Sequence, residues 1–348
     1  MTPDSIPLPP VSVIMPARDD HGAIGAALDS VIAQEYDSAV EIIVADASET
    51  TATETLIRRN YPQVQLVRNP ERLTPAGLNR ALAVARHPVV ARCDARSVLP
   101  PGYLSRAVGT LLQTGAVNVG GRQNAVGTTY FGRSAALAMS CWLGTGGAVH
   151  RVGGPAGPAD TVYLGVFRRD ALEAAGGFAS GLARSQDSEL NWRLCEEGGT
   201  VWFDPELVVT YRPRPSLPAL ARQYFASGRW KRAVIRRHPR SLRARQALPP
   251  LMVVVLVAAV LVAAGAAPFV AGCCGGAGLR DGALTVFGAA LVPPLLYMLV
   301  LVAGAVVLGL TRRAPEAVLL PVVLATMHLA WGAGFLIGVR GDGYSVAT

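Results

Sequence analysis

The chain has 348 residues, 51% of them hydrophobic, with a formal net charge of +8 and a positive mean hydropathy. That length suggests about two domains on a prior of ~150 residues each, and the uneven hydropathy excludes a uniformly soluble globule: from Leu248 onward long stretches carry no charge. The positive charge is also local, since eleven Lys/Arg residues lie between Arg212 and Arg245 and no Asp or Glu occurs from Leu207 to Arg280; beside an apolar span this reads as a segment facing anionic lipid, and no nucleic-acid motif accompanies it.

In chain order, MTPDSIPLPP lacks a basic region followed by an apolar one, so it does not read as a signal peptide, and the soluble part is expected to stay in the cytoplasm. Val11–Met15 is a short apolar strand closed by Pro16. His21–Gln34 follows as a helix with Ile24, Leu28, Val31 and Ile32 on one face. Glu41–Ala45 is a second strand ending in Asp46, and Thr51–Arg59 a second helix. Val64–Val67, Pro75–Arg86 and Val89–Cys93 continue the alternation, the last strand ending in Asp94. Strands separated by helices argue for βαβ units and a parallel sheet, whose ligands bind beyond the carboxyl ends of the strands. Arg18, Asp46 and Asp94 stand at those ends. No Gly-x-Gly-x-x-Gly follows the first strand and no Walker A lysine occurs, which disfavours a dinucleotide enzyme or a P-loop ATPase.

Downstream, Asp160–Phe167 reads as a strand and Arg169–Gly176 as a short helix followed by Gly-Gly-Phe. A further helix starts at Ser185, which suits its cap, with Asp187 near the positive end. Val201–Phe203 and Val208–Tyr211 complete a mixed sheet. Ser216–His238 is an amphipathic helix, with Leu217, Leu220, Ala221, Tyr224 and Phe225 at helical spacing and Trp230 at headgroup depth. Three spans are expected at 249–271, 284–310 and 317–339, with Pro293-Pro294 a kink in the second. Arg312 and Arg313 lie between the second and third, whereas Arg280 is offset by Asp281 and Arg340 by Asp342. The positive-inside rule then puts the soluble part in the cytoplasm and the C-terminus outside. The expected organisation is a tail at 1–10, a catalytic domain at 11–215, a basic interfacial segment at 216–248, a transmembrane region at 249–340 and a tail at 341–348. The five cysteines show no CxxC pair and no zinc spacing; Cys93 and Cys195 read as buried thiols.

In order along the chain, VSVIMPARDD, IIVADASET, NPERLTPAGLNRAL, RCDARSVLPPGYL and GGF with SQDSELNWRL resemble the segments of family 2 glycosyltransferases over about residues 10–245. The likeness is to the exopolysaccharide, succinoglycan-type glucosyltransferase branch, which also shares DTVYLGVFRR and WFDPEL. The resemblance implies an α/β GT-A fold, a Rossmann-like mixed sheet binding a nucleotide sugar, followed by a three-helix transmembrane region. It implies that Pro16 and Ala17 present backbone to the nucleoside, that Asp46 and Ser48 bind base or ribose, and that Arg72 approaches base or diphosphate. Asp94 would contact ribose or metal, and Asp187 would be the general base. Gln186, Glu189, Trp192, Arg229 and Trp230 would lie on the acceptor side.

Two departures stand out. The family's Asp-x-Asp is Asp94-Ala95-Arg96 here, so either Arg96 neutralises the diphosphate or Asp94 and the donor alone hold Mg²⁺ or Mn²⁺. The Glu of Glu-Asp is Gln186. The implied reaction is inverting transfer of a hexose, from a UDP-sugar, to a lipid-linked saccharide at the inner leaflet of a bacterial cytoplasmic membrane, without nucleic acid as a partner. A polyprenyl-phosphate sugar synthase and a non-catalytic scaffold of a polysaccharide assembly complex are the rival readings. Asp46 and Asp94 equally fit strand-end caps, Asp187 a helix-capping residue, Arg72 a solvated charge and Trp230 an interfacial anchor.

Overall fold

The computed structural model of the chain describes residues 7–273 and 277–339; the start of the N-terminal tail, Cys274, Arg340, Asp342 and the C-terminal tail lie outside the described residues. In chain order the elements are β1 (Val11–Ala17), α1 (Ile24–Ile32), β2 (Val40–Asp46), α2 (Ala52–Asn60), β3 (Gln65–Arg68), α3 (Thr74–Val84) and β4 (Val89–Arg92). There follow α4 (Tyr103–Thr114), β5 (Asn118–Ala125), α5 (Tyr130–Met139), α6 (Trp142–Thr145), α7 (Val149–Val152), β6 (Gly157–Pro158), β7 (Tyr163–Arg168), α8 (Arg169–Ala174), α9 (Gln186–Glu196) and β8 (Val201–Tyr211). Four long helices end the chain: α10 (Leu217–Arg237), α11 (Ala244–Val270), α12 (Ala277–Arg312) and α13 (Leu320–Ile337).

The chain forms two compact units, one holding residues up to Ala125 and Gly147–Tyr211, the other Val126–Gly146 and Arg212–Val339. In the first, the described residues give an eight-stranded sheet in the order β3-β2-β1-β4-β7-β5-β8-β6. β1 to β4 pair in parallel, β7 runs antiparallel to β4 and β5, and β8 is parallel to β5. Period-two alternation splits the core between the faces: Val13 and Met15 bury with Ile24, Leu28, Leu104 and Val108, whereas Ile14, Ile43 and Val90 bury with Leu78, Leu172 and Leu190. This is the mixed α/β sheet of the GT-A fold. The register levels the carboxyl ends of β1, β2 and β3, pairing Ala17 with Asp46 and Asp46 with Arg68.

Three features differ from the sequence reading. The two expected strands after α9 are one, β8, whose pairing with β5 shifts register between Gly120 and Arg122; Asp204-Pro205 makes that kink, and Arg106 grips Asp204 with bonds of 2.8 and 2.9 Å. Ser185 makes no side-chain cap; its backbone is left-handed (φ +66°), not the extended geometry an N-cap serine needs. Cys93 is buried as expected, but Cys195 is exposed, being on the last turn of α9.

In the second unit, three of the described helical segments are long and apolar enough to cross a membrane: Ala244–Val270, Gly278–Arg312 and Pro315–Ile337. α10 packs along α13, and α11 along α12. The α10–α13 approach is close because glycines line it: a Cβ on Gly228 would meet the backbone of Trp331 and Phe335, and one on Gly334 the backbone of Phe225. α5 also belongs to this unit and packs against α13 and the 3-10 turn Pro315–Leu319.

Candidate active site

The site is built on the carboxyl edge of the parallel strands. Pro16 and Ala17 end β1, and Ala17 C=O accepts the Ala47 N–H at 2.9 Å. Asp46, almost fully buried, accepts the Ser48 N–H at 2.9 Å on one oxygen, while Arg68 stands 4.0 Å from the other. The buried Ser48 hydroxyl accepts the Asp19 N–H at 2.9 Å and lies 3.1 Å from Thr53 Oγ1. Asp46 and Ser48 therefore lock the turns after β1 and β2 together.

Around this floor runs a rim of matched charges. Arg72, at φ +58°, pairs with Glu49 at 2.9 Å, and Arg18 lies 4.0 Å from the same carboxylate. Arg96 is largely exposed and donates to Asp20 at 2.6 Å; the other Asp20 oxygen accepts the Arg18 N–H. Asp19, Arg72 and Ser185 all hold left-handed backbones without being glycine. Each such residue costs on the order of 1–3 kcal/mol, and such strain clusters at functional sites.

The centre is a residue that the sequence reading passed over. Arg92, the last residue of β4, is buried, and its Nε donates to Asp94 Oδ1 at 2.8 Å while its NH1 donates to Asp187 Oδ1. One guanidinium thus joins the end of β4 to the first turn of α9. Burial opposes the charge on Arg92, yet Asp187 and Asp94 together hold it protonated well above the ordinary arginine range. Desolvation raises the Asp187 carboxyl above the usual carboxylate range; Arg92 pulls it down and Asp94 pushes it further up. The Asp187 side chain keeps 40% exposure and that of Asp94 33%, so a ligand can reach both carboxylates. Tyr163 lies beside this group, 3.2 Å from Ser97 Oγ, and burial pushes its hydroxyl up to about 12, with Asp94 adding to the shift. Only an arginine within an otherwise apolar strand signals the arrangement in the sequence.

The residues expected on the acceptor side fall on α9 and on α10. Gln186 opens α9 next to Asp187, and Trp192 is half-buried further along that helix. Glu189 is fully buried and bonds Arg193 through both oxygens, at 2.7 and 2.9 Å. Arg193 in turn donates to the carbonyls of Ala175 and Gly177, so Glu189 braces the Gly-Gly-Phe loop rather than lining a cleft. Arg229 and Trp230 belong to the second unit, where Arg229 Nε donates to Gly338 C=O at 2.7 Å.

Among the described residues no three His, Cys, Asp or Glu side chains gather into a metal cage. The fit to a divalent cation is nonetheless adequate in one form. Magnesium is commonly held by one or two carboxylates with substrate phosphates and water supplying the rest, and Asp94 has one oxygen beyond the one Arg92 occupies. Arg96 supplies no second carboxylate.

Residues 12–175 match the family model described as glycosyl transferase family 2. The succinoglycan biosynthesis protein ExoA of Rhizobium meliloti (strain 1021) is 28% identical over 330 residues, covering 93% of each chain. Among solved structures, the mannosyltransferase PcManGT from Pyrobaculum calidifontis, in complex with GDP-Man and Mn²⁺, matches with a TM-score of 0.61 at 18% identity, over 96% of this chain and 90% of that one. At that identity the likeness concerns the fold.

Proposed function

We propose that this chain, whose residues 12–175 match the glycosyl transferase family 2 model, moves a hexose from a UDP-sugar to a lipid-linked saccharide, with inversion, in exopolysaccharide synthesis. The observation that carries the mechanism is the pair of carboxylates held by Arg92. Asp187 Oδ1 is fixed by the guanidinium, which leaves Oδ2 to take the proton from the acceptor hydroxyl. As the acceptor hydroxyl oxygen forms its bond to the anomeric carbon, the bond from the same carbon to the nucleoside diphosphate breaks. A single base suffices for one such displacement, and it fixes the face of attack opposite the leaving group. Desolvation of Asp187 makes it a stronger base than a solvated aspartate. Asp46, Ser48, Pro16 and Ala17 would receive the nucleoside, and Arg72 and Arg18 would face the diphosphate. A divalent cation held by Asp94 would neutralise the departing phosphates, with Arg96 contributing positive charge nearby. The exopolysaccharide assignment draws on the likeness to ExoA; the apolar helices and the basic α10 support a membrane-borne acceptor and a catalytic unit on the cytoplasmic face.

The test is nucleoside diphosphate release by purified protein in detergent, with UDP- and GDP-sugars offered against polyprenyl-linked acceptors, with and without EDTA. Turnover from a UDP-sugar that falls at least ~10²-fold in Asp187→Asn supports the reading, since general-base catalysis is worth that much. Donor binding without turnover, unchanged by Asp187→Asn, would replace it with a scaffold. Sugar found on bare polyprenyl phosphate would make the protein a polyprenyl-phosphate sugar synthase.

A further inference from the structure

Flanking charge alone implies three membrane crossings, but the packing of α13 is at odds with a third. α11 and α12 are joined by a short connection and lie along each other, with Ala259, Ala263 and Ala267 of one and Phe287, Ala290 and Pro294 of the other lining one shared hollow. They form an antiparallel hairpin, with the start of α11 and the end of α12 at one end of it. That end is basic: Arg240, Arg243 and Arg245 precede or open α11, and Arg312 and Arg313 close α12.

Both ends of α13 touch this same end of the hairpin. At its entrance, a Cβ on Gly309 of α12 would lie 3.2 Å from Ala317 Cβ, and the Ala314 N–H donates to Gly309 C=O at 3.1 Å. At its exit, Gly332 is pressed onto the start of α11: a Cβ there would fall 2.6 Å from Pro249 C=O and 2.7 Å from Val253 Cγ2. Beyond it, Arg232 of α10 donates to the carbonyls of Phe335 and Leu336, and Arg229 to Gly338, satisfying the orphan C=O groups of the last turn. A helix of 18 residues is about 27 Å long. α12 is about 54 Å long, so a helix running straight down it from Gly309 would bring its last turn past the middle of α12, not to the opening turns of α11.

The middle of α13 agrees. His328 Nε2 donates to the C=O of Leu143 at 2.9 Å, and the Tyr297 hydroxyl bonds Nδ1 at 3.0 Å. Leu143 lies in α6, a four-residue helix between irregular segments. Irregular backbone is tolerated at membrane depth only where protein covers it, and here it reaches the midpoint of α13. Val322, Leu329 and Leu336 form an exposed apolar stripe on α13, continued by Val318 of the preceding 3-10 turn, while Leu320, Val323, Leu324 and Met327 are buried.

We propose that α13 does not cross the bilayer: it lies within the leaflet from which the chain enters α11, its apolar stripe against acyl chains and its exit capped by the arginines of α10. The protein then crosses twice, and its C-terminus returns to the side of the basic segment. The proposal is independent of the glycosyl-transfer reading. It is tested on the full chain in a bacterial inner membrane, carrying green fluorescent protein or alkaline phosphatase after Thr348. In parallel, a membrane-impermeant maleimide is applied to spheroplasts of a Cys195→Ser variant. Fluorescence without phosphatase activity, together with labelling that is lost in Cys273→Ser/Cys274→Ser, is the expected result. Active phosphatase at Thr348 would overturn the proposal by showing a third crossing. Absence of labelling at positions 273 and 274 would also overturn it, because the hairpin itself would not cross.

Discussion

Arg92 carries its charge inside a strand whose other residues are Val89, Val90 and Ala91, and a guanidinium removed from water is stable there only with carboxylates beside it. Asp94 and Asp187 are those carboxylates, so removing the arginine leaves two negative charges facing each other across the site. We expect Arg92→Met to lower kcat by about 10²-fold or more, as loss of a positioned acid–base group does, and to lower the melting temperature. Arg92→Lys restores one charge but not the fork that reaches two partners, so it should recover stability more than kcat. The pH profile supplies a separate readout. Asp187 works deprotonated and its carboxyl is raised in the folded protein, so kcat/KM falls as pH drops through that raised value. Arg92 is the influence lowering it; without Arg92 the acid limb of the profile moves to higher pH. A limb unmoved in Arg92→Met would show that Asp187 is not the titrating base. Sequence motifs reveal Asp94 and Asp187 because each ends a strand or opens a helix. They do not reveal that Arg96 meets Asp20, 76 positions away, or that Glu189 is buried against Arg193, because pairing depends on the fold.

At the scale of elements, hydrophobic period was sufficient for β1 to β4 and their helices, where apolar runs are long and bounded by turns. It was insufficient for α5, rich in Ala, Gly and Ser, whose small side chains give little contrast between faces, and for α6 and α7, which at four residues each are too short to show a period. α10 shows a different limit. Its apolar and basic residues read as a lipid-facing helix, yet Gly228 lies against Trp331 and Phe335, and two of its arginines cap α13. Spacing registers that a face is apolar but not whether lipid or helix covers it. The glycine contact makes a sharp prediction. Gly334→Ala places a methyl group into the Phe225 backbone, which must move, so it should destabilise the detergent-solubilised protein by about 1–3 kcal/mol, the usual cost of overpacking. Gly265→Ala on α11, with nothing within 4 Å of the added carbon, should be neutral or slightly stabilising. Equal melting temperatures for the two variants would mean that α10 and α13 are not packed through these glycines.

For the whole molecule, the sequence reading ends the catalytic domain at residue 215, but the compact units are interleaved along the chain: Val126–Gly146 leaves the first unit after β5 and folds into the second. Hydropathy misses this because Ala135, Ala136, Leu137, Ala138 and Met139 form too short a run for a span, yet all are buried. Their neighbours are lost when the chain is cut after the last strand. Tyr130 donates to Pro315 C=O at 2.7 Å, Arg133 stands 3.6 Å from Glu316, and Leu143 accepts from His328. A fragment of residues 1–214 would therefore expose the apolar face of α5 and aggregate or demand detergent, as large uncovered apolar patches do. Cutting away the spans alone should fail to give a soluble enzyme. α7 packs on β5, so the chain returns near the point where it left, and a short Gly/Ser link replacing 126–146 can close the gap. That doubly trimmed fragment should elute as a monomer without detergent, where 1–214 does not. Size-exclusion chromatography of the two checks this directly: a monomeric, detergent-free 1–214 fragment would mean that α5 and α6 do not need the membrane unit to cover them.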